Sequence, residues 1–395
     1  MDRRRVMGVD LGTNAVKAFA ATIDDLGRVE IAGSGLAPAT GYKKGILTDP
    51  HAAASAIRQA VDCALLAANF RMQPIWLGVG GVGIRFYNAR GIIAPASSSG
   101  INSKDIDRAC QAARLTAGCE GQQILHALPN LYWVDGRQQR ESPVGQAGCR
   151  LEVEVHFVTA SKDFLDELLA HVKQNSLCVA GVVANPVAAA IALAPAPGER
   201  VLILDIGAGT TEIALVYEGL TVVSASLPLG GDYITGDIAY AAGVSFTHAE
   251  EIKRYYARLG GQLIRQDAIV DFSDFGITNK FISYGFLHKI VQTRVDEIFS
   301  LVYDYIRPAL QDYPVDEIAL TGGSAHLPSV VQAAKTIFQL PVRIRQPKGL
   351  AAEYNHPANT VCFGIVHYAA RQASFIETTR TWSWRGLWRK IAEHF

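Results

Sequence analysis

The 395-residue sequence is poor in cysteine and has no excess of charge of either sign. Its six cysteines include no C-x-x-C pair, so neither a zinc site nor a disulfide framework is predicted, and reduced cytoplasmic thiols are the simplest interpretation. Lysine plus arginine and aspartate plus glutamate number 37 each. This balance argues against a protein devoted to nucleic acid.

Long apolar runs are also scarce. The basic residues at 3–5 lead into a charged, strand-like segment rather than the apolar stretch of a secretory signal. The most membrane-like segment, 178–196, contains Asn185, Pro186 and Pro195. It therefore predicts a buried strand, a break and an Ala-rich helix instead of a transmembrane span. The apolar fraction of 49% supports large cores, and the length predicts at least two domains.

Two short glycine-rich phrases carry most of the functional signal. They are Gly8–Thr13 and Leu204–Glu212, and in each an apolar run is followed by Asp, by Gly at a tight bend and by hydroxyl residues. The pattern predicts a strand that enters a hairpin. Glycine lets backbone N–H groups approach an anion, and an Asp at the strand end suits hydrated Mg²⁺. Two copies half a chain apart predict a duplicated fold that holds a nucleoside triphosphate and its metal from both sides.

The rest of the sequence predicts how the chain is organised around these phrases. Strands are predicted over 6–37, a helix over 52–69 and buried strands at 75–81 and 179–184. Residues 84–160 predict an inserted α+β module with a hairpin at 84–94, a helix over 104–114 capped by Ser103, and strands at 124–129, 132–134 and 151–159. The second half predicts strands over 201–227, a helix over 247–259 with Thr247 as its N-cap, a long helix over 289–310 and a strand at 317–320.

Seven segments, taken in order, resemble the FtsA family of bacterial cell-division proteins, which are actin-like ATPases. The resemblance extends over nearly the whole chain and includes an insert like the family's subdomain 1C. The segments are Gly8–Thr13, Gly41–Asp49, His126–Pro129, Pro143–Gly145, Gly236–Tyr240, Ala249–Lys253 and Leu320–Ala325.

The resemblance implies an α/β fold, namely a duplicated actin/ribonuclease-H-like two-lobed fold with an inserted α+β subdomain of the 1C type. The implied boundaries are 1–83 and 161–197 for subdomain 1A, 84–160 for 1C, 198–227 and 290–370 for 2A, 228–289 for 2B, 371–381 for a linker and 382–395 for a terminal helix.

The resemblance also implies ATP and Mg²⁺ as cofactors. Asp10 and Asp205 are predicted to hold Mg²⁺, chiefly through water. For Lys17, a structural ion pair is the alternative to a phosphate contact. For Glu250 with Lys253, a solvated i,i+3 salt bridge is the alternative to contacts with ribose and adenine. The residues predicted to bind the nucleotide are Gly12, Thr13, Asn14, Lys17, Gly207, Ala208, Gly209, Thr210, Thr211, Gly231, Glu250, Lys253, Gly322, Gly323 and Ser324.

Three departures from the usual family pattern bear on hydrolysis. Ala208 replaces the central Gly of the second phosphate loop. Glu212 stands where Asp is usual, and we expect it to face solvent rather than an attacking water. Asn185 stands where several actin-like ATPases carry Glu or Gln; its amide is no useful base near neutral pH, although it can orient water. The predicted catalytic set is Asp10, Asp205, Asn185 and Glu212, with firm ATP binding and slow hydrolysis at most.

Residues 382–395 hold three of the five tryptophans. On a helix, one apolar stripe comprises Trp384, Leu387, Trp388, Ile391 and Phe395, and the opposite side carries Arg385, Arg389 and Lys390. Such a helix suits an anionic membrane surface, and the family resemblance implies a membrane-targeting helix there. The alternative is a helix docked on its own core or on a protein partner.

For function, the resemblance implies a protein at the cytoplasmic face of the cell membrane, at the division septum. It would form actin-like filaments with itself, bind the C-terminal peptide of FtsZ through subdomain 2B and recruit other divisome proteins through subdomain 1C. No nucleic-acid partner is predicted. The alternatives are a pilus-assembly or microcompartment ATPase of the same fold, and a small-molecule kinase, for which no catalytic Asp stands out in the sequence.

Overall fold

The computed structural model describes residues 4–259, 265 and 267–377. This part of the chain forms two lobes, each built on a five-stranded sheet, and a four-stranded sheet is inserted into the first lobe. The first lobe and its insert contain β1 (Arg4–Leu11), β2 (Ala15–Ile23), β3 (Val29–Pro38), β4 (Tyr42–Lys43), β5 (Ile46–Leu47), α1 (Pro50–Ala68), β6 (Ile75–Val79), β7 (Ile84–Ile93), α2 (Ser103–Thr116), β8 (Gln122–Val134), β9 (Arg137–Gln139), β10 (Leu151–Ser161), α3 (Lys162–Gln174), β11 (Val179–Ala184) and α4 (Asn185–Leu193). The rest of the described chain contains β12 (Arg200–Ile206), β13 (Thr211–Tyr217), β14 (Leu220–Leu227), α5 (Gly231–Ala242), α6 (Phe246–Leu259), β15 (Ile269–Asp271), β16 (Phe281–Ser283), α7 (Tyr284–Asp312), β17 (Glu317–Thr321), α8 (Val330–Phe338), β18 (Val342–Ile344) and α9 (Thr360–Glu377).

The two five-stranded sheets share one topology. The first has the order β3-β2-β1-β6-β11 and the second the order β14-β13-β12-β17-β18. In each sheet the first three strands pair antiparallel, and two parallel pairings follow. The predicted duplicated fold is therefore confirmed.

Helices α4 and α9 lie between the two sheets and join them. Their shared core includes Ala188 of α4, Ile203 and Ala319 of the second sheet and Ile365 of α9. A Cβ atom at Gly364 would lie 1.9 Å from the Ala188 carbonyl oxygen, so only glycine allows α9 to approach α4 this closely. The strands β1 and β12 are buried on both sides, as central strands of such sheets are.

The inserted sheet has the order β7-β10-β8-β9, with α2 packed against it. The predicted hairpin at 84–94 is wrong, because β7 is one continuous strand that pairs with β10 along its length. Gly91 belongs to this strand rather than to a turn. A Cβ atom there would lie 1.8 Å from the Ala109 carbonyl oxygen, so this glycine serves the close approach of α2.

The predicted break between the strands at 124–129 and 132–134 is also wrong, because both belong to β8. Pro129 lies opposite Val155 where the register with β10 shifts, and Leu131 lies opposite Glu154. The extra residue between them forms a bulge, which is where a strand tolerates proline.

Two predicted helix caps lie one or two residues from the true ones. Asn102, not Ser103, caps α2, and it forms a capping box with Asp105. Helix α6 begins at Phe246, and the side chain of Ser245 accepts the backbone N–H of His248 at 3.2 Å. Ser245 therefore occupies the position that the sequence assigned to Thr247.

Helix α9 runs on through Glu377 into the segment predicted as a linker. Residues 378–381 and the predicted membrane helix at 382–395, with Trp384, Arg385, Leu387, Trp388, Arg389, Lys390, Ile391 and Phe395, lie outside the described residues. Within the described ranges, no helix is both long and apolar enough to cross a membrane.

Candidate nucleotide cleft

The two glycine hairpins face each other across one cleft of about 370 Å³ between the lobes. Asp10 lies one residue before the end of β1, opposite Lys17, and Asp205 lies one residue before the end of β12, opposite Glu212. The loops touch, because a Cβ atom at Gly209 would lie 2.4 Å from Thr13 Oγ1. The structure thus brings together two phrases that the sequence separates by half the chain.

The two aspartates form a buried, electrostatically strained pair, each only 8% exposed. Burial raises the pKa of Asp10, while the charge of Lys17 acts to lower it. Burial and the charge of Asp10 together raise the pKa of Asp205 to about 7. The Lys17 ammonium donates a hydrogen bond to the Ala358 carbonyl and lines the cleft. Two buried carboxylates of like charge favour a cation between or beside them.

The second glycine loop is fixed from the side of its own lobe. The N–H of Gly231 and the hydroxyl of Ser324 donate to the Gly207 carbonyl, at 3.0 and 3.2 Å, and the N–H of Asp232 donates to the Ala208 carbonyl at 2.8 Å. These bonds direct the negative ends of two peptide dipoles away from the cleft. The loop therefore offers the cleft an environment suited to an anion.

An ion pair between a buried lysine and a partly exposed glutamate forms the far wall of the cleft. Lys253, 7% exposed, lies 2.6 Å from Glu250 and donates to the Thr235 hydroxyl at 2.7 Å and to the Gly231 carbonyl at 3.1 Å. Glu250 also accepts from Arg254 at 3.1 Å. The salt bridge predicted as the alternative reading exists, but its lysine is buried in the cleft wall rather than solvated.

Glu212 does not face solvent, which corrects the expectation from the sequence. It is 4% exposed, and its Oε1 accepts the Gly81 N–H at 3.0 Å and the Ser226 hydroxyl at 2.9 Å. Burial raises the pKa of Glu212 to about 7. A Cβ atom at Gly80 would lie 2.6 Å from Glu212 Oε1 and 2.7 Å from Asn185 Nδ2, so Glu212 and Asn185 are neighbours across the lobes.

Two oxygens of this pair have no hydrogen-bond partner at bonding distance within the described part of the chain, although the Thr210 hydroxyl lies close enough to Glu212 to lower its pKa. They are Glu212 Oε2 and Asn185 Oδ1, and both are buried. Buried polar atoms require partners, and both oxygens belong to residues that line the cleft. Each of the two oxygens is therefore a candidate acceptor for a water molecule in the cleft.

Most of the predicted site residues line the one cleft. These are Asp10, Gly12, Thr13, Asn14, Lys17, Asn185, Asp205, Gly207, Ala208, Gly209, Thr210, Glu212, Glu250, Lys253, Gly322, Gly323 and Ser324. The structure places Thr211 and Gly231 behind it: the Thr211 hydroxyl donates to the Leu229 carbonyl at 2.7 Å, and Gly231 supports the second loop.

The sequence missed eight lining residues, Ala15, Leu36, Arg254, Ala257, His326, Leu327, Ala358 and Val361. Arg254 had a usable signal, because it lies one helical turn after Glu250. His326 and Leu327 directly follow the predicted Gly322–Ser324 loop, whereas Leu36 and Ala358 carry no local signal.

A metal at this site would need ligands beyond the protein. Among the residues that the structure describes, no group of three or more His, Cys, Asp and Glu side chains could hold a metal ion. Asp10 and Asp205 nevertheless supply hard oxygen donors, and their mutual repulsion suits a divalent cation that keeps several waters. The residues therefore fit Mg²⁺ that arrives with a phosphate ligand.

Comparisons of sequence agree with this architecture. Residues 202–364 match the model of the family described as cell division protein FtsA, and residues 81–159 match that of the SHS2 domain inserted in FtsA. FtsA of Pseudomonas aeruginosa is 31% identical over 378 residues, which cover 94% of this chain and 90% of that protein. FtsA of Bacillus subtilis is 29% identical, with coverage of 93% and 84%.

Comparisons of structure show the actin-like fold. The PilM–PilN type IV pilus biogenesis complex gives a TM-score of 0.68 at 16% identity and covers 93% of this chain and 99% of that chain. MreB5 of Spiroplasma citri bound to AMPPNP gives a TM-score of 0.54 at 14% identity, with coverage of 96% and 99%.

Proposed function

The chain belongs to the FtsA family of cell-division proteins, and on that premise we propose that it binds Mg·ATP between its lobes and tethers FtsZ to the membrane. The observation that carries the proposal is the convergence of the Asp10 and Asp205 hairpins on one cleft. MreB5, a structural neighbour with the same actin-like fold, is 14% identical to this chain, and its structure contains bound AMPPNP.

Each part of the cleft has a role in this proposal. Asp10 and Asp205 hold hydrated Mg²⁺, which supplies charge neutralisation for the phosphates. The backbone of the two glycine loops holds the phosphates. The adenosine lies toward the Glu250–Lys253 pair and the Gly322–Ser324 loop.

Hydrolysis is proposed to be slow. Glu212 and Asn185, which are neighbours across the lobes, position the attacking water. Glu212, whose pKa is raised to about 7, is the one group of this pair that can accept the water's proton, and it does so only in the fraction of molecules in which it is ionised at neutral pH. Asn185 orients the water but cannot take its proton. We therefore expect turnover well below ~10 per second, the median for enzymes.

The tether is proposed to combine three contacts. The segment 382–395 binds an anionic inner membrane surface, the region 228–289 binds the C-terminal peptide of FtsZ, and the inserted module contacts other divisome proteins or the next subunit of a filament. One short amphipathic helix binds reversibly. Many copies in an actin-like filament bind far more firmly, through effective concentration.

A pilus-assembly role has less support than a cell-division role. The PilM–PilN neighbour shares the fold at 16% identity, and a likeness at that level supports the fold but not the function. Cell-division proteins, in contrast, align over more than nine-tenths of this chain at 26–31% identity. A small-molecule kinase has no supporting observation in the cleft.

The test is co-sedimentation with anionic liposomes and a fluorescent FtsZ C-terminal peptide. Full-length protein with Mg·ATP should pellet and carry the peptide down, and a chain that ends at Arg380 should remain in the supernatant. Trp388→Glu should resemble the shortened chain, because it places a charge on the apolar stripe. Glu393→Gln, on the opposite side of the helix, is the matched control and should pellet fully. Equal pelleting of full-length and shortened chains would contradict the tether.

A further inference from the structure

One side chain of the inserted module reaches out of its own sheet to the element that carries Asn185. His126 lies on β8, is 3% exposed, and its Nε2 accepts the backbone N–H of Ala184 at 3.0 Å. Ala184 ends β11, and the next residue, Asn185, begins α4 and lines the nucleotide cleft. The bond therefore acts one residue away from a cleft side chain.

This bond satisfies a backbone group that has few other options. Strand β11 is at the edge of the first sheet and, within the part of the chain that the structure describes, pairs with β6 alone. Ala184 is also the N-cap residue of α4, and no side chain caps that helix. A buried N–H without an acceptor is costly. The position of Ala184 is therefore tied to the position of His126.

The imidazole is a fixed acceptor. Burial lowers the pKa of His126 to about 3, so the ring stays neutral and its Nε2 keeps a free lone pair under physiological conditions. The ring of Tyr368, on α9, meets the His126 ring edge-on, with centroids 5.2 Å apart and planes at 85°. The bond is thus a permanent link rather than one that titrates.

Helix α4 cannot absorb a shift of its first residue by sliding. Its close contact with α9 at Gly364 leaves no free space beside Ala188, and interiors packed in this way transmit displacement. At the other end of the link, the Asn185 amide lies close to Gly80, with Oδ1 unpaired. A displacement of the Ala184 backbone should therefore reorient the Asn185 side chain.

Solid packing does not replace the bond. A cavity of about 250 Å³ opens between the insert and the first lobe, and its walls include Leu125 and Ala127 on β8, Val182 on β11 and Tyr368 on α9. Leu125 and Ala127 directly flank His126 in the chain. Because apolar contact is interrupted beside the bond, His126 carries more of the connection there.

We propose that His126 is a positioning residue that holds Asn185 in place from the inserted module, so that a movement of the insert against the first lobe changes how Asn185 is oriented in the cleft. The proposal rests on the proposed nucleotide function of the cleft. It gives the His126–Pro129 segment, which the sequence marked without a role, a specific task.

The test compares two amides of different reach in the full chain. Gln at position 126 places its oxygen near the position of imidazole Nε2, whereas Asn is too short to do so. In protein labelled with [¹⁵N]Asn, the side-chain amide signal of Asn185 is identified by its loss in Asn185→Asp. His126→Asn should shift or broaden that signal, with and without nucleotide, and His126→Gln should leave it close to that of the unmodified chain.

The matched control is His156→Asn. His156 is 2% exposed in the same module, and it bonds to Asn88 at 2.6 Å within the insert's own sheet rather than to the first lobe. This variant should leave the Asn185 signal unchanged. His126→Asn should lower the rate constant of single-turnover phosphate release on the order of tenfold or more, because reacting groups are then misplaced. Its ATP affinity should stay within about twofold of that of the unmodified chain.

An unchanged Asn185 signal in His126→Asn, or an equal change in His156→Asn, would overturn the proposal. Failure of the unmodified chain to bind ATP in a separate titration would instead overturn the proposed function, and the nucleotide-free amide signal would still decide the role of His126. If the unmodified chain binds ATP without hydrolysing it, the amide signal alone decides.

Discussion

Three buried carboxyl groups dominate the chemistry of the cleft, and they are not equivalent. Asp10 and Asp205 face each other's charge, with Lys17 nearby, and a cation can relieve their repulsion. Glu212 instead has neutral hydrogen-bond donors, Gly81 and Ser226. Its raised pKa is therefore mainly a consequence of burial and should persist whether or not a metal binds.

Glu212→Gln should flatten the pH dependence of stability. The pKa of Glu212 is about 7 in the folded chain and about 4.3 in an unfolded one. As the pH rises from about 4 to 7, the unfolded chain releases this proton first, so the free energy of unfolding falls. Between pH 5 and pH 8, the free energy of unfolding of the Gln variant should rise by about 2–3 kcal/mol relative to that of the unmodified chain. Denaturant unfolding across this range measures the difference.

Glu251→Gln is the control for that series, because Glu251 is exposed on α6. Its stability curve should run parallel to that of the unmodified chain. A parallel curve for Glu212→Gln as well would show that Glu212 is ionised at ordinary cost in the folded protein.

The location of a single residue in the cleft could be predicted where the signal is local. Asp10 and Asp205 stand beside their own glycines, so each could be recognised from its neighbours. The burial of Glu212 could not be predicted, because its partner Gly81 is 131 positions away along the chain. Lys253 shows the same limit: its pairing with Glu250 follows from helical spacing, but its burial depends on α5.

At the level of elements, the hairpin loops are the parts that must fit one another. Gly209 of the second loop packs against Thr13 of the first. The Thr13 hydroxyl oxygen accepts the Lys44 N–H at 3.1 Å, so it cannot turn away without losing that bond. Lys44 lies in the turn that joins the short strands β4 and β5, and this turn thereby supports the first glycine loop.

Gly209→Ala should separate the two loops and weaken Mg·ATP binding by about tenfold, which corresponds to about 1.4 kcal/mol. The added Cβ would lie 2.4 Å from Thr13 Oγ1, so one loop must move. Titration calorimetry with Mg·ATP measures the loss. Gly236→Ala is the control: among the described residues, no atom beyond the adjoining backbone of α5 lies within 4 Å of its added Cβ, and alanine favours a helix. Equal affinity for both variants would contradict a shared phosphate site.

Element types were more predictable than element limits. The strand at 179–184 and the helix that starts at Asn185 were found because Pro186 suits a first helical turn. The prediction divides β7 at 88–90, directly before Gly91, and β8 at 130–131, directly after Pro129. Their true roles, a close helix contact and a bulge, exist only once α2 and β10 are in place.

For the whole molecule, the insert touches both lobes. Arg140 of the insert lies 3.1 Å from Glu218 of the second lobe, and its guanidinium lies 4.4 Å from the centre of the Tyr217 ring. Tyr313 donates to Glu154 of the insert at 3.3 Å. The duplicated fold was predictable from the repeated glycine phrase. These contacts were not, because they join charged and aromatic residues that have no periodic pattern in the sequence.

The central claim is that Asp10 and Asp205 act on one bound Mg·ATP, and a double-mutant cycle in titration calorimetry tests it most directly. Asp10→Asn and Asp205→Asn preserve shape, and each should weaken binding in Mg²⁺ by about tenfold or more. In EDTA neither substitution should weaken ATP binding, because removing a buried negative charge favours the binding of an anion. The loss of binding free energy in the double variant should be smaller than the sum of the losses in the two single variants, since both groups serve one ligand. Strictly additive losses that do not depend on Mg²⁺, or an unchanged affinity in either single variant, would contradict the account.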